Sequence, residues 1–256
     1  MFVVFEGPEG AGKSTQLRLM SEWLVARGHQ VLAVREPGGT VLGDEIRRIL
    51  LDPESDIVPA AEAMLFMASR AQLVERVLRP AITKGSIVLV DRFFLSTYAY
   101  QGAGRGIGIQ DLATANRMAT AGLTPDLTVL LDLPTDEGLA RVARRGGHDR
   151  IERATNAFHS RVAAEFRRFT TAEWQREHPE CGPITVVDAR GSEGEVFARI
   201  HEVLRLRWPA SFPSPQPLLP SPCFPVWMNV AHFGSPRLCA RSFPRLSGLR
   251  PTIRGC

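Results

Sequence analysis

The most specific chemical signal in the sequence is the segment GPEGAGKST at residues 7–15. It fits the pattern G-x-x-x-x-G-K-[ST], in which glycines let backbone N–H groups surround phosphate oxygens at the positive end of a helix. In this pattern Lys13 supplies a point charge towards the β- and γ-phosphates, and the hydroxyl of Ser14 can bind Mg²⁺. The segment therefore predicts a binding site for a nucleoside triphosphate.

An acid and an arginine, Asp91 and Arg92, follow the apolar run Ile87–Val90. If this run is a strand of a parallel sheet, both residues lie at its carboxyl end, where such sheets bind ligands. Asp91 could hold a metal ion or its water shell, and Arg92 could bind a phosphate through two parallel hydrogen bonds. The alternative is an internal ion pair between the two residues, and the sequence leaves both open.

A guanidinium interrupts the apolar stripe of the helix predicted over Ala61–Leu78. Arg70 lies on that stripe, and Phe66, four residues earlier, shares its face. Because a buried arginine needs acceptors for its donors, a stacking ring and a hydrogen-bonding guanidinium could together bind a nucleobase. Alternatively, Phe66 belongs to the core and Arg70 pairs with an acid such as Glu62.

A cluster of arginines surrounds two glycines in the segment RVARRGGHDRIE, residues 141–152. A cluster hinged on glycine could close over phosphates and exclude water during transfer. The alternative is a solvated helix face. The arginines of the cluster are Arg141, Arg144, Arg145 and Arg150.

The elements that must position these residues alternate along the chain. Short apolar, β-branched runs predict strands at Phe2–Phe5, Val31–Val34, Ile87–Val90, Leu127–Leu133 and Ile184–Val187. Stretches of helical period lie between them, at Gln16–Arg27, Ala61–Leu78 and Ile109–Ala121. This alternation predicts an α/β fold whose parallel sheet is covered by helices on both faces.

The composition changes after Trp208. Residues 209–256 contain ten of the nineteen prolines, five arginines and no acid. Repeated proline prevents regular structure, so we expect a disordered tail, either a dispensable extension or a proline-rich ligand for a partner. Because the remaining residues are nearly neutral, the formal charge of +4 does not argue for nucleic-acid binding.

The setting expected for this chain is cytoplasmic, without a membrane. No apolar run approaches the length of a membrane span, and the first residues do not have the pattern of a signal peptide. Only Cys181 lies before the tail, so the cysteines form no disulfide framework and no metal-binding pair.

Taken together, these stretches resemble the bacterial-type thymidylate kinases over roughly residues 1–208. Six motifs in the order found in that family are far more specific than the first loop alone. They are FEGPEGAGKST (5–15), REPGGT (35–40), LFMASRAQL (65–73), DRFFLSTYAYQGAGRG (91–106), PDLTVLLDL (125–133) and RRGGHDRIE (144–152). The tail has no counterpart in the family.

The resemblance implies a P-loop NTPase fold, with a five-stranded parallel sheet flanked by helices on both faces and a small arginine-rich lid at about residues 141–152. The implied reaction transfers the γ-phosphate of ATP to dTMP, with Mg²⁺, and gives dTDP and ADP for dTTP synthesis. Family members usually work as homodimers. Residues 1–208 would form this kinase domain, followed by the tail at 209–256.

Roles for the donor site follow from the resemblance by position. ATP would bind the loop residues Gly7, Pro8, Glu9, Gly10, Ala11, Gly12, Lys13, Ser14 and Thr15. Glu9 would lie near the acceptor's sugar and the metal, which Ser14 and Asp91 would also bind. Gly10 occupies the position where some members carry an arginine, and members without it take their catalytic arginines from the lid. The implied catalytic residues are Lys13, Arg92, Arg145, Arg150 and Glu9.

Roles for the acceptor site follow in the same way. Phe66 would stack on thymine and Arg70 would bond its edge. Arg92 would bind the acceptor phosphate. The rest of the nucleoside pocket would comprise Ser96, Thr97, Tyr100 and Gln101.

Three other classes of P-loop protein are alternatives to this expectation. A kinase of another nucleoside monophosphate would share the loop and a mobile lid but should lack the pair Phe66 and Arg70. A non-kinase P-loop ATPase would convert hydrolysis into motion of a partner, although the chain has no L-S-G-G-Q signature. A GTPase would need the motif N-K-x-D, and no lysine of this chain follows an asparagine.

Overall fold

A computed structural model of the chain describes residues 1–146 and 149–213, except for the side chain of Arg145. Its strands are β1 (Phe2–Glu6), β2 (Val31–Arg35), β3 (Ile87–Asp91), β4 (Leu127–Asp132) and β5 (Ile184–Asp188). Neighbouring strands run parallel in the order β2-β3-β1-β4-β5. Each strand overlaps the apolar run that predicted it, so the predicted α/β fold with a five-stranded parallel sheet is confirmed.

Helices connect the strands and follow the last one. They are α1 (Lys13–Val25), α2 (Val41–Leu51), α3 (Pro59–Leu73), α4 (Arg79–Thr83), α5 (Phe94–Thr97), α6 (Ile109–Thr120), α7 (Thr135–Arg145), α8 (Asn156–Arg168), α9 (Ala172–Glu177) and α10 (Glu193–Arg207). Two π-helical segments, Val74–Leu78 and Tyr98–Gly104, and a 3₁₀ turn at Pro179–Cys181 complete the described structure. Within the described ranges, no helix combines the length and the apolar character needed to cross a membrane.

The sheet is buried on both faces, which explains the continuous apolar runs. Along β1, Phe2 and Val4 point into one core, which also receives side chains from α3, α5, α6 and α8. Val3 and Phe5 point into the other core, against α1 and α10. Because the strand order reverses around β1, the loop that follows β1 opens at the switch point where parallel sheets bind ligands.

The helix predicted over Ala61–Leu78 changes its geometry before Pro80. It consists of α3 and then the π-helical segment Val74–Leu78, where the N–H of Arg79 donates to the carbonyl of Val74, five residues back. Proline lacks an N–H and its ring collides with the carbonyl one turn earlier in a regular helix. The wider turn accommodates Pro80, so the chain continues into α4 without ending the helix.

The folded body extends past the boundary predicted at Trp208, and this prediction needs correction. Phe212 is fully buried, with its ring parallel to that of Trp23 at a centroid distance of 5.8 Å. Its ring also lies in a T-shaped arrangement with the ring of His201, at a centroid distance of 6.1 Å. One large aromatic side chain can join a core even where prolines prevent regular structure. The rest of the predicted tail, residues 214–256, lies outside the described part of the chain.

Candidate active site

A cavity of about 690 Å³ lies at the carboxyl ends of the strands. One end is lined by the loop 9–16, by Arg141 of α7 and by the segment between β5 and α10. The other end is lined by the segment after β2, by α3 and by residues 91–101 after β3. The described residues thus form one cleft with two ends, and the phosphate-binding loop (residues 7–15) lies along it.

The phosphate-binding loop needs glycine at position 10. Gly10 has a positive φ of 73°, and a Cβ atom there would lie 2.2 Å from the carbonyl oxygen of Gly138 in α7. The loop and α7 therefore pack backbone against backbone, at a distance that excludes any side chain. This contact explains why position 10 carries no arginine in this chain.

Lys13 lies buried against its own loop. Its ammonium donates to the carbonyl oxygens of Gly7 and Pro8, at 3.0 and 2.7 Å. Burial, reinforced by the charge of Arg92, lowers the pKa of Lys13 to about 8. A phosphate that enters the loop can take over these two hydrogen bonds and favour the charged form of the lysine.

Ser14 and Asp91 come together as the sequence predicts for a metal site. The Ser14 hydroxyl donates to Oδ2 of Asp91 at 2.5 Å, and Oδ1 of Asp91 is buried without a hydrogen-bond partner among the described residues. Those residues contain no group of three metal-binding side chains. Mg²⁺ bound to nucleotides needs only one or two protein oxygens, because phosphates and waters complete its shell. The pair therefore fits Mg²⁺.

Arg92 faces the loop rather than pairing with Asp91. Its Nη2 contacts Oε1 of Glu9 at 2.5 Å, and its Nη1 donates to the Gly7 carbonyl and to Ser96 Oγ. The Tyr100 hydroxyl donates to the same oxygen of Glu9 at 2.9 Å. Burial alone would lower the pKa of Arg92, but the acids around it, Glu9 first, raise that pKa above its ordinary value. The alternative of an internal Asp91–Arg92 pair is therefore wrong.

Glu6 positions Arg92 and is missing from the predicted site. Its buried carboxylate accepts from the backbone N–H groups of Phe93 and Ser96, at 2.7 and 3.0 Å, and from the Ser96 hydroxyl. These bonds fix the turn in which Arg92 has a φ of 71°, unusual for a residue other than glycine. The sequence signal was an acid at the end of an otherwise apolar strand.

Arg70 is 1% exposed and lies at the wall of the cavity, at the end lined by α3. Its Nε donates to Glu36 at 2.7 Å and its Nη2 to the carbonyl of Phe93. Its Nη1 donates to the side chains of Thr97 and Asn116. The guanidinium thus pairs with an acid, as one alternative predicted, but this acid is Glu36 rather than Glu62. A bond from Arg70 to a base therefore requires that one present bond be shared or exchanged.

The other predicted acceptor residues line the same end of the cavity. Phe66 is partly buried and packs against the core while one side of it reaches the cavity. Two further side chains, Arg35 and Arg47, add positive charge there and are missing from the predicted site. Arg47 donates to the carbonyl of Pro37 at 3.1 Å. Its signal was an arginine shortly after the REPGGT motif.

The arginines of the predicted lid lie in different parts of the structure. Arg141 reaches the carbonyl oxygens of Gly10 and Ala189, at 3.4 Å each, and lines the end of the cavity formed by the loop 9–16. Arg150 instead donates to the carbonyl of Leu50 and forms an ion pair of 2.7 Å with Glu62. The structure therefore does not bring Arg150 to the loop. The side chain of Arg145 lies outside the described residues.

Comparisons with known proteins agree on one family. The model of the thymidylate kinase family matches residues 5–200, a range that includes every residue lining the cavity. A thymidylate kinase from Deinococcus radiodurans is 50% identical over 200 residues, which cover 78% of this chain and 94% of that protein. A thymidylate kinase from Synechococcus sp. (strain JA-3-3Ab) is 43% identical over 215 residues, which cover 84% of this chain and 100% of that protein.

A solved structure gives the same result. The crystal structure of thymidylate kinase from Ehrlichia chaffeensis matches this chain with a TM-score of 0.62 and 26% identity. The match covers 80% of this chain and 98% of that one. The similarity therefore spans almost the whole of a solved relative.

Proposed function

The chain belongs to the thymidylate kinase family and phosphorylates dTMP, and we propose that it uses the two ends of the cavity for ATP and for dTMP. The products are dTDP and ADP. The observation that carries the residue assignment is the meeting of Lys13, the Ser14–Asp91 pair and Arg92 along one cleft. No finding favours a kinase of another nucleoside monophosphate or a non-kinase ATPase.

The donor end binds the phosphates of ATP. Backbone N–H groups of residues 7–15 surround them, and Lys13 exchanges its bonds to two carbonyl groups for bonds to phosphate oxygens. Ser14 and Asp91 would hold Mg²⁺, which would help to neutralise the charge that develops during transfer. Glu9, which the resemblance also places near the metal, holds Arg92 in place.

The acceptor end binds dTMP. Arg92 binds its phosphate, because this guanidinium is fixed by Glu9 and lies beside the loop that holds the donor. Phe66 stacks on the base, and Arg70 contributes to the same pocket by sharing one of its bonds. The remaining pocket residues are Ser96, Thr97, Tyr100 and Gln101.

The segment 141–152 acts as a lid. Arg141 already contacts the phosphate-binding loop, whereas Arg150 is held by Glu62 and Leu50. On closure, Arg145 and Arg150 would reach the transferred phosphate and exclude water. This role requires that Arg150 exchange its present partners for a phosphate.

The variant Arg92→Met tests the acceptor assignment. Loss of a charged donor at the acceptor phosphate is expected to lower kcat/KM for dTMP by ~10²–10³. Binding of ATP, measured by calorimetry without dTMP, should change little. Arg18→Met is the matched control, since this arginine pairs only with Glu22 on the exposed face of α1. An Arg92→Met enzyme with wild-type kcat/KM for dTMP would contradict the assignment.

We also propose a homodimer. The helices α2 and α6 both pack against α3, and all three carry large apolar side chains that are exposed. These residues are Val41, Leu42 and Ile49 on α2, Met64 on α3 and Met118 on α6. A second copy of the chain would cover such a surface. Light scattering should give twice the mass of the chain, and the double variant Met64→Glu with Met118→Glu should give the mass of the monomer.

The cytoplasmic location remains a prediction from the cysteine content.

A further inference from the structure

Glu62 is a buried carboxylate that touches both the acceptor pocket and the predicted lid. It lies in the first turn of α3 and is 1% exposed. The Nε2 atom of Gln101 donates to its Oε1 at 2.9 Å. Arg105 donates to both of its oxygens, and Arg150 forms an ion pair with Oε2. Glu62 therefore links two cations to one amide of the pocket.

The carboxylate of Glu62 stays ionised despite its burial. Burial alone would raise its pKa, but the hydrogen bonds from Arg105 and Gln101 and the contact with Arg150 outweigh this effect and lower the pKa below its ordinary value. The carboxylate is therefore ionised at neutral pH. An ionised carboxylate only accepts hydrogen bonds.

This property fixes the orientation of the Gln101 amide. Only the NH₂ group of an amide can donate, so the hydrogen bond to Glu62 assigns Nε2 to the Glu62 side. The other atom, Oε1, must then point away from Glu62. Because Gln101 lines the cavity, the group that it offers to a ligand is an acceptor.

The same helix face carries the predicted base-binding residues. Glu62, Phe66 and Arg70 follow one another at intervals of four residues along α3, so they form one stripe. Gln101 faces this stripe from the π-helical segment Tyr98–Gly104. A base that stacks on Phe66 would therefore present its edge near Gln101.

We propose that Glu62 is a specificity-determining residue that acts by positioning Gln101. It turns the carbonyl oxygen of this amide towards the base, where it accepts the N3–H of thymine. Cytosine has a lone pair at N3 instead of a hydrogen. Its N3 would therefore face the carbonyl oxygen of Gln101, and both acceptors would lack a hydrogen bond. The inference rests on the proposed placement of the base, and it assigns the rejection of cytosine to an acid that does not touch the nucleotide.

The variant Glu62→Gln tests the proposal. The new amide can donate as well as accept, so Gln101 is free to turn its NH₂ group towards the base. The ratio of kcat/KM for dTMP to that for dCMP should fall by about tenfold or more, the effect expected for one mispaired buried group. The ratio of dTMP to dUMP should not change, because both bases carry N3–H. A variant that loses activity equally with all three acceptors would overturn the proposal.

Two controls separate the possible causes. Arg105→Met removes a cation from Glu62 but leaves its carboxylate, so it should keep the dTMP/dCMP ratio; a ratio that falls as far as in Glu62→Gln would overturn the proposal. Gln101→Leu removes the amide itself. If Gln101→Leu leaves the dTMP/dCMP ratio unchanged, the base does not bind beside Gln101. Both the proposed placement of the base and the inference about Glu62 would then be wrong. If it lowers the ratio while Glu62→Gln does not, only the inference fails.

A measurement on the unmodified protein does not depend on how Glu62→Gln folds. The side-chain amide protons of Gln101 can be assigned in a nitrogen-15 spectrum by comparison with Gln101→Leu. Because they donate to a buried carboxylate, they should exchange slowly with solvent before any nucleotide is added. Rapid exchange that slows only when dTMP binds would place the NH₂ group in the cavity and overturn the proposal.

Discussion

Lys13 illustrates how single residues in this site are prepared for an anion. Its ammonium is buried and bonded to two carbonyl groups, which are weaker partners than phosphate oxygens. The pKa of about 8 reflects this incomplete compensation. Binding of ATP should counteract the shift, because phosphates favour the charged form of the lysine although it stays buried.

A pH profile follows from this shift. In the free chain Lys13 loses its proton as the pH rises through about 8, so kcat/KM for ATP should fall there. The profile of kcat reports the nucleotide-bound chain and should fall only at higher pH. Lys13→Arg carries a cation that does not titrate in this range, so any activity that it retains should lack the descending limb. A limb near pH 8 that persists in this variant would exclude Lys13 as its source.

Arg70 is expected to stabilise the folded chain, in addition to any contact that it makes with the base. Its pair with Glu36 is almost completely buried, and burial raises the pKa of Glu36 despite the guanidinium beside it. Removing one partner of a buried pair leaves an uncompensated charge, which typically costs ~3–5 kcal/mol.

Arg70→Met should therefore lower the free energy of unfolding by ~3–5 kcal/mol, measured with urea in the absence of nucleotide. The double variant Arg70→Met with Glu36→Leu should recover part of this loss, because no charge is left buried. Arg48→Met is the control, since its ion pair with Glu45 is exposed and is worth ~1 kcal/mol at most. An Arg70→Met chain as stable as the control would show that Glu36 tolerates the loss.

At the scale of elements, the sequence predicts motifs that form one continuous segment and strands that are buried on both faces of the sheet. The phosphate-binding loop is one continuous segment, and the strands are continuous apolar runs, so both could be read directly. The partner of Arg70 could not, because Glu36 lies 34 residues away and reaches it only through the order of the strands. The same limit applies to the pair of Arg150 with Glu62. The π-helical geometry of Tyr98–Gly104 also depends on packing rather than on a local pattern.

The link between the lid and α3 leads to a prediction for Arg150. If this side chain leaves Glu62 to reach phosphates only on closure, Arg150→Ala should lower kcat much more than it raises KM for dTMP. Loss of one such donor typically costs ~10²–10³ in rate. Arg153→Ala is the matched control, since Arg153 is exposed and close in sequence. An effect on KM alone would place Arg150 in ground-state binding.

At the scale of the whole molecule, the two cores on either side of the sheet hold the loop and the acceptor pocket together. The second core includes Phe212, which closes it against α1 and α10. The body that supports the site therefore includes residues that composition alone assigned to the tail. The proline content did not indicate the burial of Phe212, because proline disfavours helices and strands but does not prevent a nearby ring from packing into a core.

A pair of truncations tests this boundary. A chain that ends at residue 208 loses Phe212 and should be destabilised by ~3–5 kcal/mol, as expected for the loss of a buried phenylalanine. A chain that ends at residue 214 keeps this ring and should match the full chain in urea unfolding and in activity. Phe212→Ala in the full chain should reproduce the loss. Equal stability of the two truncated chains would contradict the assigned boundary.

The central claim, phosphoryl transfer from ATP to dTMP, is tested most directly by the formation of ADP with each nucleoside monophosphate in turn. With ATP and Mg²⁺ present, we expect rapid ADP formation with dTMP, slower formation with dUMP and very little with dCMP. Without an acceptor, hydrolysis should be negligible, because the proposed lid would exclude water. A preference for any acceptor other than dTMP, or ADP formation that needs no acceptor, would contradict the account.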